Sequence, residues 1–414
     1  MPYQSVLGLV VFIGIAWILS DNRKAVNFRW TAAGLLLQFI IAALFLGVPL
    51  FAGLFLQLNR AVMALDEATR AGTSFVFGYV GGGNAPFAVT EPANSFVFAF
   101  QALPLVLVIG ALAGLLFYWR ILPMIVRALS MLLEKTLHIG GALGLGTATT
   151  LFLGMVEAPL FIKPYLREMT RSELFSLMAC GMASIAGTVM ILYSTLLKGI
   201  IPDPLGHILT ASLIHIPAAL TVARIMCPEV DRQTAGRLVP ESTAANSMDA
   251  LTKGTIDALH LLLNIIAMLL VAVALVNLVN QLLGLLPLVG GRTVTLQLLL
   301  GQIMAPVVWL FGIPWADSHT AGALMGTKTV LNELLAFIDL AQLPADALGL
   351  RSRLIMTYAL CSFANFGSLG IMIGGLGSMV PERRSEIAAM GMRAIIAGTL
   401  ATCMTGAVVS FLLP

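Results

Sequence analysis

Charged side chains are scarce in this sequence. Asp, Glu, Lys and Arg make up 10% of the 414 residues, whereas 59% are apolar and the net charge is +3. A typical soluble domain carries about 25% charged residues, so most side chains here never meet water. The composition excludes an ordinary soluble domain, and the small net charge gives no indication of a nucleic-acid partner.

Cysteine is also scarce, and it shows no metal-binding pattern. The four cysteines have neither CxxC nor other metal-ligand spacing, and the five histidines form no HExxH motif. We therefore expect buried free thiols rather than disulfides or a metal centre. No paired histidines, Ser-Lys pair or Asp-Asp pair indicates an intramembrane enzyme. Neither an enzyme nor a bound cofactor is expected.

The sequence lacks the features of a cleavable signal peptide. The apolar run from Val6 to Leu19 has no basic region before it and no small-residue cleavage site after it. This run predicts a first membrane-spanning helix.

Long apolar runs dominate what is present. A spanning helix needs about 20 apolar residues, so the chain has room for roughly eight spans. We predict an all-α polytopic membrane protein embedded in a lipid bilayer. The apolar stretches that predict spans are residues 3–20, 30–58, 96–118, 175–197, 207–222, 259–286, 355–380 and 394–413. The polar residues 228–258 predict a cytoplasmic helix lying at the membrane interface.

Basic residues predict the orientation of the chain. Arg23, Lys24 and Arg29 follow the first span, and Arg383 and Arg393 precede the last. Because basic loops favour the cytoplasm, both termini are predicted to be periplasmic in a bacterial inner membrane.

The second half of the chain repeats features of the first. Residues 140–166 and 319–343 are both apolar, interrupted and carboxylate-bearing, and a span with a central polar patch follows each, ASIAGT at 183–188 and SFANFGS at 362–368. An odd number of spans separates the two units, so their orientations are opposite. Paired interrupted segments predict a transporter with inverted repeats and a site at the repeat interface. The glycine-rich segment 75–83 predicts an interfacial or re-entrant piece.

A few polar side chains in apolar runs are candidates for chemistry. Glu157 and Glu333 each carry a carboxylate at a depth where charge is costly, which indicates a function; the alternative is a structural carboxylate at a helix end. Asn365 and Ser368 lie on one side of a glycine-rich span, with packing between helices as the alternative for Asn365. Lys328 is interpreted as balancing the charge of Glu333.

Four ordered motifs resemble the concentrative nucleoside transporter family. They are GMVEAPL (154–160), SIAGTV (184–189), NEL (332–334) and FANFGS (363–368), and the resemblance covers essentially the whole chain. It implies a homotrimer, two re-entrant hairpins and two broken helices. The domains that it implies are N-terminal scaffold spans with an interfacial segment near 75–90 (1–135), the first hairpin and broken helix (136–227), the cytoplasmic segment and long scaffold helix (228–290), and the second hairpin and broken helix (291–414).

The resemblance also implies which residues bind substrate and cation. Glu333, Asn365 and Ser368 would bind ribose hydroxyls, with Phe363 packing nearby and Val189 lining the sugar side. Glu157 would lie by the nucleobase. The residues implied for the substrate are Gly154, Met155, Val156, Glu157, Val189, Glu333, Phe363, Asn365 and Ser368, and those implied for a sodium ion are Thr150, Leu153, Ser184 and Ile185.

Two departures from the family pattern affect selectivity and coupling. Many sodium-coupled relatives have Gln and Thr where this chain has Met155 and Val156, which predicts an altered base preference. They also have Asn where Thr150 stands, so proton coupling through Glu157 or Glu333 competes with sodium coupling. We predict a nucleoside symporter driven by Na⁺ or H⁺. The alternatives are a transporter of a free nucleobase or modified nucleoside, and a passive channel.

Overall fold

The regular structure of the described chain is helical. The computed structural model describes residues 2–88, 96–155, 158–159, 162–234, 244–287 and 293–413, with no strand beyond an isolated bridge. The helices of ten or more residues in the first half are α1 (Pro2–Ile18), α2 (Phe28–Gly47), α3 (Pro49–Phe77), α4 (Leu105–Tyr118), α5 (Ile121–Leu137), α6 (Gly141–Thr150), α7 (Arg171–Ala183), α8 (Gly187–Leu196) and α9 (Pro204–Met226). Those in the second half are α10 (Ser247–Leu283), α11 (Leu296–Leu310), α12 (Trp315–Val330), α13 (Glu333–Gln342), α14 (Leu350–Leu360), α15 (Phe366–Met379) and α16 (Arg384–Leu412).

The long helices agree with a polytopic membrane protein. Five described helical segments are long and apolar enough to cross a membrane, namely Phe28–Gly47, Phe98–Tyr118, Pro204–Met226, Ser247–Ala267 and Pro381–Leu412. Together with α1 and the two broken helices α7–α8 and α14–α15, they account for the roughly eight spans expected from length and composition. The pair α11–α12 bends by 118°, too sharply for one continuous span.

The prediction of one span over residues 30–58 is wrong. Helix α2 ends at Gly47, and Val48 adopts an extended conformation with φ −98° and ψ 118°. The residue before a proline is disfavoured in the α region, so Pro49 ends α2 and starts α3. The new helix continues to Phe77.

Two further boundaries differ from the sequence prediction. Residues 247–258, predicted as part of an interfacial helix, are the first turns of α10, which is 37 residues long. The predicted long helix over 259–286 is therefore confirmed but starts earlier. The glycine-rich segment 75–83 is the end of α3 followed by a 3₁₀ turn at Gly78–Gly81, closed by Gly82 at φ +94°. That conformation favours glycine.

The predicted duplication is present in the order of elements. In each half an amphipathic or apolar helix (α5 or α11) precedes a short hairpin arm (α6 or α12), a broken helix (α7–α8 or α14–α15) and a long helix (α9 or α16). The breaks fall at 184–186 and 361–365, so each overlaps one of the two polar patches. The two broken helices that the family resemblance implies are thus present.

The chain separates into two compact units. One comprises Met1–Ala52, Val126–Leu238 and Val276–Pro414, and the other Gly53–Ile125 and Val239–Leu275. Both hairpins and both broken helices lie in the first unit. The functional domain boundaries drawn from the resemblance stay a prediction.

Helices α4 and α10 cross at very short range within the second unit. A Cβ on Gly254 would lie 2.5 Å from the carbonyl oxygen of Gly110, and one on Gly110 would lie 2.4 Å from Cβ of Ala258. Small residues let helix backbones approach closely in a membrane. Only glycine fits at this crossing.

The four cysteines agree with the prediction of buried thiols. Cys180, Cys227, Cys361 and Cys403 are all buried and free.

Candidate functional site

Two asparagines start the helices that carry the candidate site. Asn332 Oδ1 accepts a hydrogen bond from the backbone N–H of Leu335 over 2.9 Å at the start of α13. Asn365 Oδ1 accepts from the N–H of Ser368 over 2.7 Å at the start of α15. An asparagine at this position satisfies one of the free N–H groups of a helix start. The sequence therefore places an asparagine side chain at both helix starts.

Glu333 lies at the first of these starts and is hydrogen-bonded at both carboxylate oxygens. Tyr193 Oη donates to Glu333 Oε1 over 2.8 Å, and Asn365 Nδ2 donates to Glu333 Oε2 over 2.9 Å. The carboxylate is buried, with 5% of the residue exposed. Its position in the first turn of α13 also places it at the positive end of the helix dipole. The predicted pair Glu333 and Asn365 is thus brought into direct contact.

Tyr193 is the site residue that sequence reasoning missed. It lies on α8 and is buried, and its ring stacks on Phe337 of α13 with centroids 4.7 Å apart. Val189, a predicted sugar-side residue, is buried one helical turn earlier on α8. That i, i+4 spacing was the available signal. Tyr193 joins the first broken helix to the second hairpin.

Backbone hydrogen bonds connect the first hairpin and both breaks. The N–H of Gly187 donates to the carbonyl of Phe152 at the hairpin tip over 3.2 Å, and the N–H of Phe363 donates to the carbonyl of Ser184 over 3.1 Å. The two breaks therefore touch each other through the main chain, which places the predicted cation residues and the predicted ribose residues in one continuous cluster.

The residues expected to hold a cation lie at helix ends. Thr150 is the last residue of α6 and donates to its own turn, to the carbonyl of Thr147 over 2.7 Å. Ser184 caps the end of α7 and donates to the carbonyl of Gly181 over 3.4 Å. Such bonds use the hydroxyl hydrogen, so the lone pairs of the hydroxyl oxygen remain available to coordinate a cation.

The backbone positions predicted to complete that group, Leu153 and Ile185, lie close to these helix ends in sequence. The N–H of Leu153 donates to the carbonyl of Thr149 over 3.0 Å, which extends the end of α6. Ile185 is buried at the break after α7. No cluster of three or more His, Cys, Asp or Glu suited to a metal occurs among the described residues.

The predicted base pocket is only partly described. Met155 is buried against α7, where a Cβ on Gly181 would lie 3.1 Å from Cβ of Met155 and 3.0 Å from Cε of Met372. The carbonyl of Gly154 accepts from the N–H of Ala158 over 3.0 Å. Val156 and Glu157 lie outside the described residues. The role of these residues in a base pocket stays a prediction.

Known proteins match the chain along nearly its whole length. Three family profiles apply: Na⁺ dependent nucleoside transporter N-terminus at residues 7–80, nucleoside recognition (gate) at 99–199, and Na⁺ dependent nucleoside transporter C-terminus at 207–410. An uncharacterized transporter of Haemophilus influenzae is 36% identical over 98% of this chain and 96% of its own length. The nucleoside permease NupC of Helicobacter pylori is 33% identical over 98% of this chain and 96% of its own.

A solved structure has the same fold. The transporter CNTnw in an inward-facing, substrate-bound state superposes with a TM-score of 0.89 at 32% identity, covering 99% of this chain and 98% of CNTnw. The family profiles and the similar sequences agree with the four sequence motifs. The similar structure agrees with the paired hairpins and broken helices. The chain belongs to the concentrative nucleoside transporter family and is not an enzyme.

Proposed function

We propose that this protein is a symporter that imports nucleosides into the bacterial cytoplasm together with Na⁺. The observation that carries the substrate assignment is the buried carboxylate of Glu333, bonded by Asn365 and Tyr193. Each carboxylate oxygen can accept more than one hydrogen bond. Glu333 can therefore accept from two adjacent hydroxyls while it keeps its protein partners.

Ribose suits this arrangement because its hydroxyls both donate and accept. The second N–H of the Asn365 amide is available to a sugar oxygen, since the amide carries two hydrogens and one is donated to Glu333. A site built around buried polar groups discriminates strongly against analogues that leave those groups unpaired. Substrates that lack the ribose hydroxyls, free nucleobases among them, should bind poorly.

Sodium is the proposed coupling ion because neutral oxygens lie at the ends of two helices. Thr150 and Ser184 lie at the carboxyl ends of α6 and α7, where the helix dipole is negative. Half-helix ends and unwound carbonyls coordinate Na⁺ in transporters of this architecture. The family profiles are described as Na⁺ dependent, which supports the same ion over H⁺.

The decisive experiment is radiolabelled nucleoside uptake into proteoliposomes under a sodium gradient or a proton gradient. Competitors would be ribonucleosides, 2′,3′-dideoxynucleosides and free bases. We expect accumulation under the sodium gradient, blocked by ribonucleosides and not by the other two groups. Accumulation under the proton gradient alone would identify H⁺, and not Na⁺, as the coupling ion. Equal block by free bases would make the protein a base transporter, and equilibration without accumulation would make it a passive channel.

We also propose a homotrimer with both termini in the periplasm. Both proposals rest on the family resemblance and on the basic loops of the sequence. Mass photometry of the purified protein would check the trimer. Labelling of terminal tags from outside spheroplasts would check the orientation.

A further inference from the structure

Lys328 is an ammonium buried in the protein core. The residue is 0% exposed, and Nζ donates to the carbonyl of Ala359 over 2.9 Å and to Oγ1 of Thr402 over 3.3 Å. No carboxylate of the described chain lies within ion-pair distance of it. A buried charge with no ion-pair partner in the described part of the chain is costly and indicates a function.

The carbonyl that Lys328 binds belongs to a helix end. Ala359 lies in the last turn of α14, just before the break of the second broken helix. The last carbonyls of a helix have no partner within the helix and form the negative end of its dipole. The ammonium therefore neutralises the carboxyl end of α14.

The internal repeat shows what stands at the same place in the first half. The hairpin arm GTATTL (146–151) corresponds to GTKTVL (326–331), and the break ASIAG (183–187) corresponds to CSFAN (361–365). Ala148 then corresponds to Lys328 and Thr150 to Val330. The first repeat therefore has an uncharged alanine where the second has an ammonium, and the hydroxyl of Thr150, two residues further on, has no counterpart at Val330.

The bonded carbonyls correspond as well. Ser184 donates to the carbonyl of Gly181, three residues before it. The counterpart of Ser184 is Ser362, and three residues before Ser362 stands Ala359, the carbonyl that Lys328 binds. The hydroxyl of Ser362 is buried without a hydrogen-bond partner among the described residues. In the second repeat the lysine thus takes the place of the serine at this helix end.

We propose that Lys328 is a tethered cation that holds the second break in its substrate-binding form, at the place where the first repeat binds the mobile coupling cation. This rests on the proposed function, which assigns the mobile cation to the first repeat. The negative helix end before the first break is neutralised reversibly by the mobile cation, whereas the helix end before the second break is neutralised permanently by Lys328. Lys328 is a positioning residue, because it acts on nucleoside binding through α14 and the break that leads to Asn365.

Three variants separate the charge of Lys328 from its size and its hydrogen bonds. Lys328→Ala opens space for a small cation, Lys328→Met fills the space without charge, and Lys328→Gln keeps a donor without charge. The apparent Tm of the purified full chain would be measured in choline chloride, with Na⁺ or methylammonium replacing choline at constant ionic strength. Uptake of nucleoside would be measured in parallel.

We expect the Tm of Lys328→Ala to rise with the logarithm of the methylammonium concentration, because a ligand of the native state stabilises it by mass action. Wild type and Lys328→Met should show no such rise. Uptake by Lys328→Gln at low nucleoside concentration should fall about tenfold, within the usual range of coupling between two sites. A Lys328→Gln protein with wild-type Tm and uptake would overturn the proposal.

An alanine variant that neither Na⁺ nor methylammonium stabilises more than wild type would also overturn it. If Lys328→Ala does not fold, the comparison of Lys328→Gln with Lys328→Arg, which keeps the charge, decides the question by Tm. Absence of nucleoside uptake by the wild-type protein would contradict the proposed function. The comparison of Tm values would still test the role of Lys328.

Discussion

The side-chain amide of Asn365 donates to Glu333 Oε2 over 2.9 Å, and both residues stand where a helix begins. Asn365 caps α15, and Glu333 is the first residue of α13. The second hairpin and the second broken helix are therefore joined by a bond between two positive helix ends. A separation of these elements would break that bond, so opening of the hairpin and loss of the binding geometry are coupled.

Replacement of Glu333 should abolish transport. In Glu333→Gln, the side chain keeps one acceptor oxygen instead of two and loses the charge to which Tyr193 and Asn365 donate. A hydrogen bond to a charged group is worth about 1.5–3 kcal/mol, and the substrate hydroxyls lose their acceptor at the same time. We expect nucleoside uptake in proteoliposomes to fall below detection while size-exclusion chromatography stays normal.

The matched control for this change is Asp339→Asn, six residues further along α13. It also replaces a carboxylate by an amide on the same helix. Its uptake should stay near that of wild type. Near-normal uptake by Glu333→Gln would remove Glu333 from the site.

Removal of the Tyr193 hydroxyl should weaken nucleoside binding with little effect on folding. Tyr193→Phe keeps the ring that stacks on Phe337 but loses the donor to Glu333. We expect affinity to fall about tenfold, corresponding to the low end of about 1.5–3 kcal/mol for a hydrogen bond to a charged group. Titration calorimetry with the transported nucleoside measures the change. Tyr358→Phe, which removes another buried hydroxyl bonded to His207, is the control and should bind normally.

Met155 and Val156, an apolar pair in the sequence, should set base preference. Met155→Gln with Val156→Thr introduces the donors and acceptors usual in sodium-coupled relatives, so transport should shift toward ordinary pyrimidine nucleosides. Competition of radiolabelled uptake by a panel of nucleosides reports the shift. Met155→Leu with Val156→Ile keeps the pair apolar and should leave the ranking unchanged. An unchanged ranking in the polar variant would mean that these positions do not face the base.

The close crossing of α4 and α10 should be intolerant of a single methyl group. Gly254→Ala places a Cβ 2.5 Å from the carbonyl oxygen of Gly110, and overpacking of this kind costs about 1–3 kcal/mol. We expect a lower apparent Tm. Gly72→Ala is the same substitution in the same unit with no atom within 4 Å, and it should leave the Tm unchanged or raise it. Equal Tm values for the two variants would contradict the close crossing.

The carboxylate and amide of the candidate site could be predicted because polar groups are costly in apolar runs. Glu333 and Asn365 interrupt such runs, and that cost singles them out. Tyr193 could not be found in this way, because an aromatic residue in an apolar helix is ordinary. Its bond to Glu333 joins residues 140 positions apart, a pairing that only the folded chain brings about.

The paired breaks were implied by the family resemblance, whereas two helix boundaries could not be predicted from the sequence. Hydropathy continues unchanged across Val48 and Pro49, so composition cannot show where α2 ends and α3 starts. The polar residues after Ser247 suited a surface helix by composition. Helix continuity depends on backbone hydrogen bonds and not on polarity, so α10 begins among them.

The hydrogen bond from the N–H of Phe363 to the carbonyl of Ser184 bears on how such transporters diversify. It uses only main-chain atoms, so side-chain replacements at either position leave its donor and acceptor in place. Substitution of side chains can therefore change selectivity for a base or an ion while the distance between the two breaks stays the same. Selectivity can change during evolution without any change in the main-chain contact that connects the two breaks.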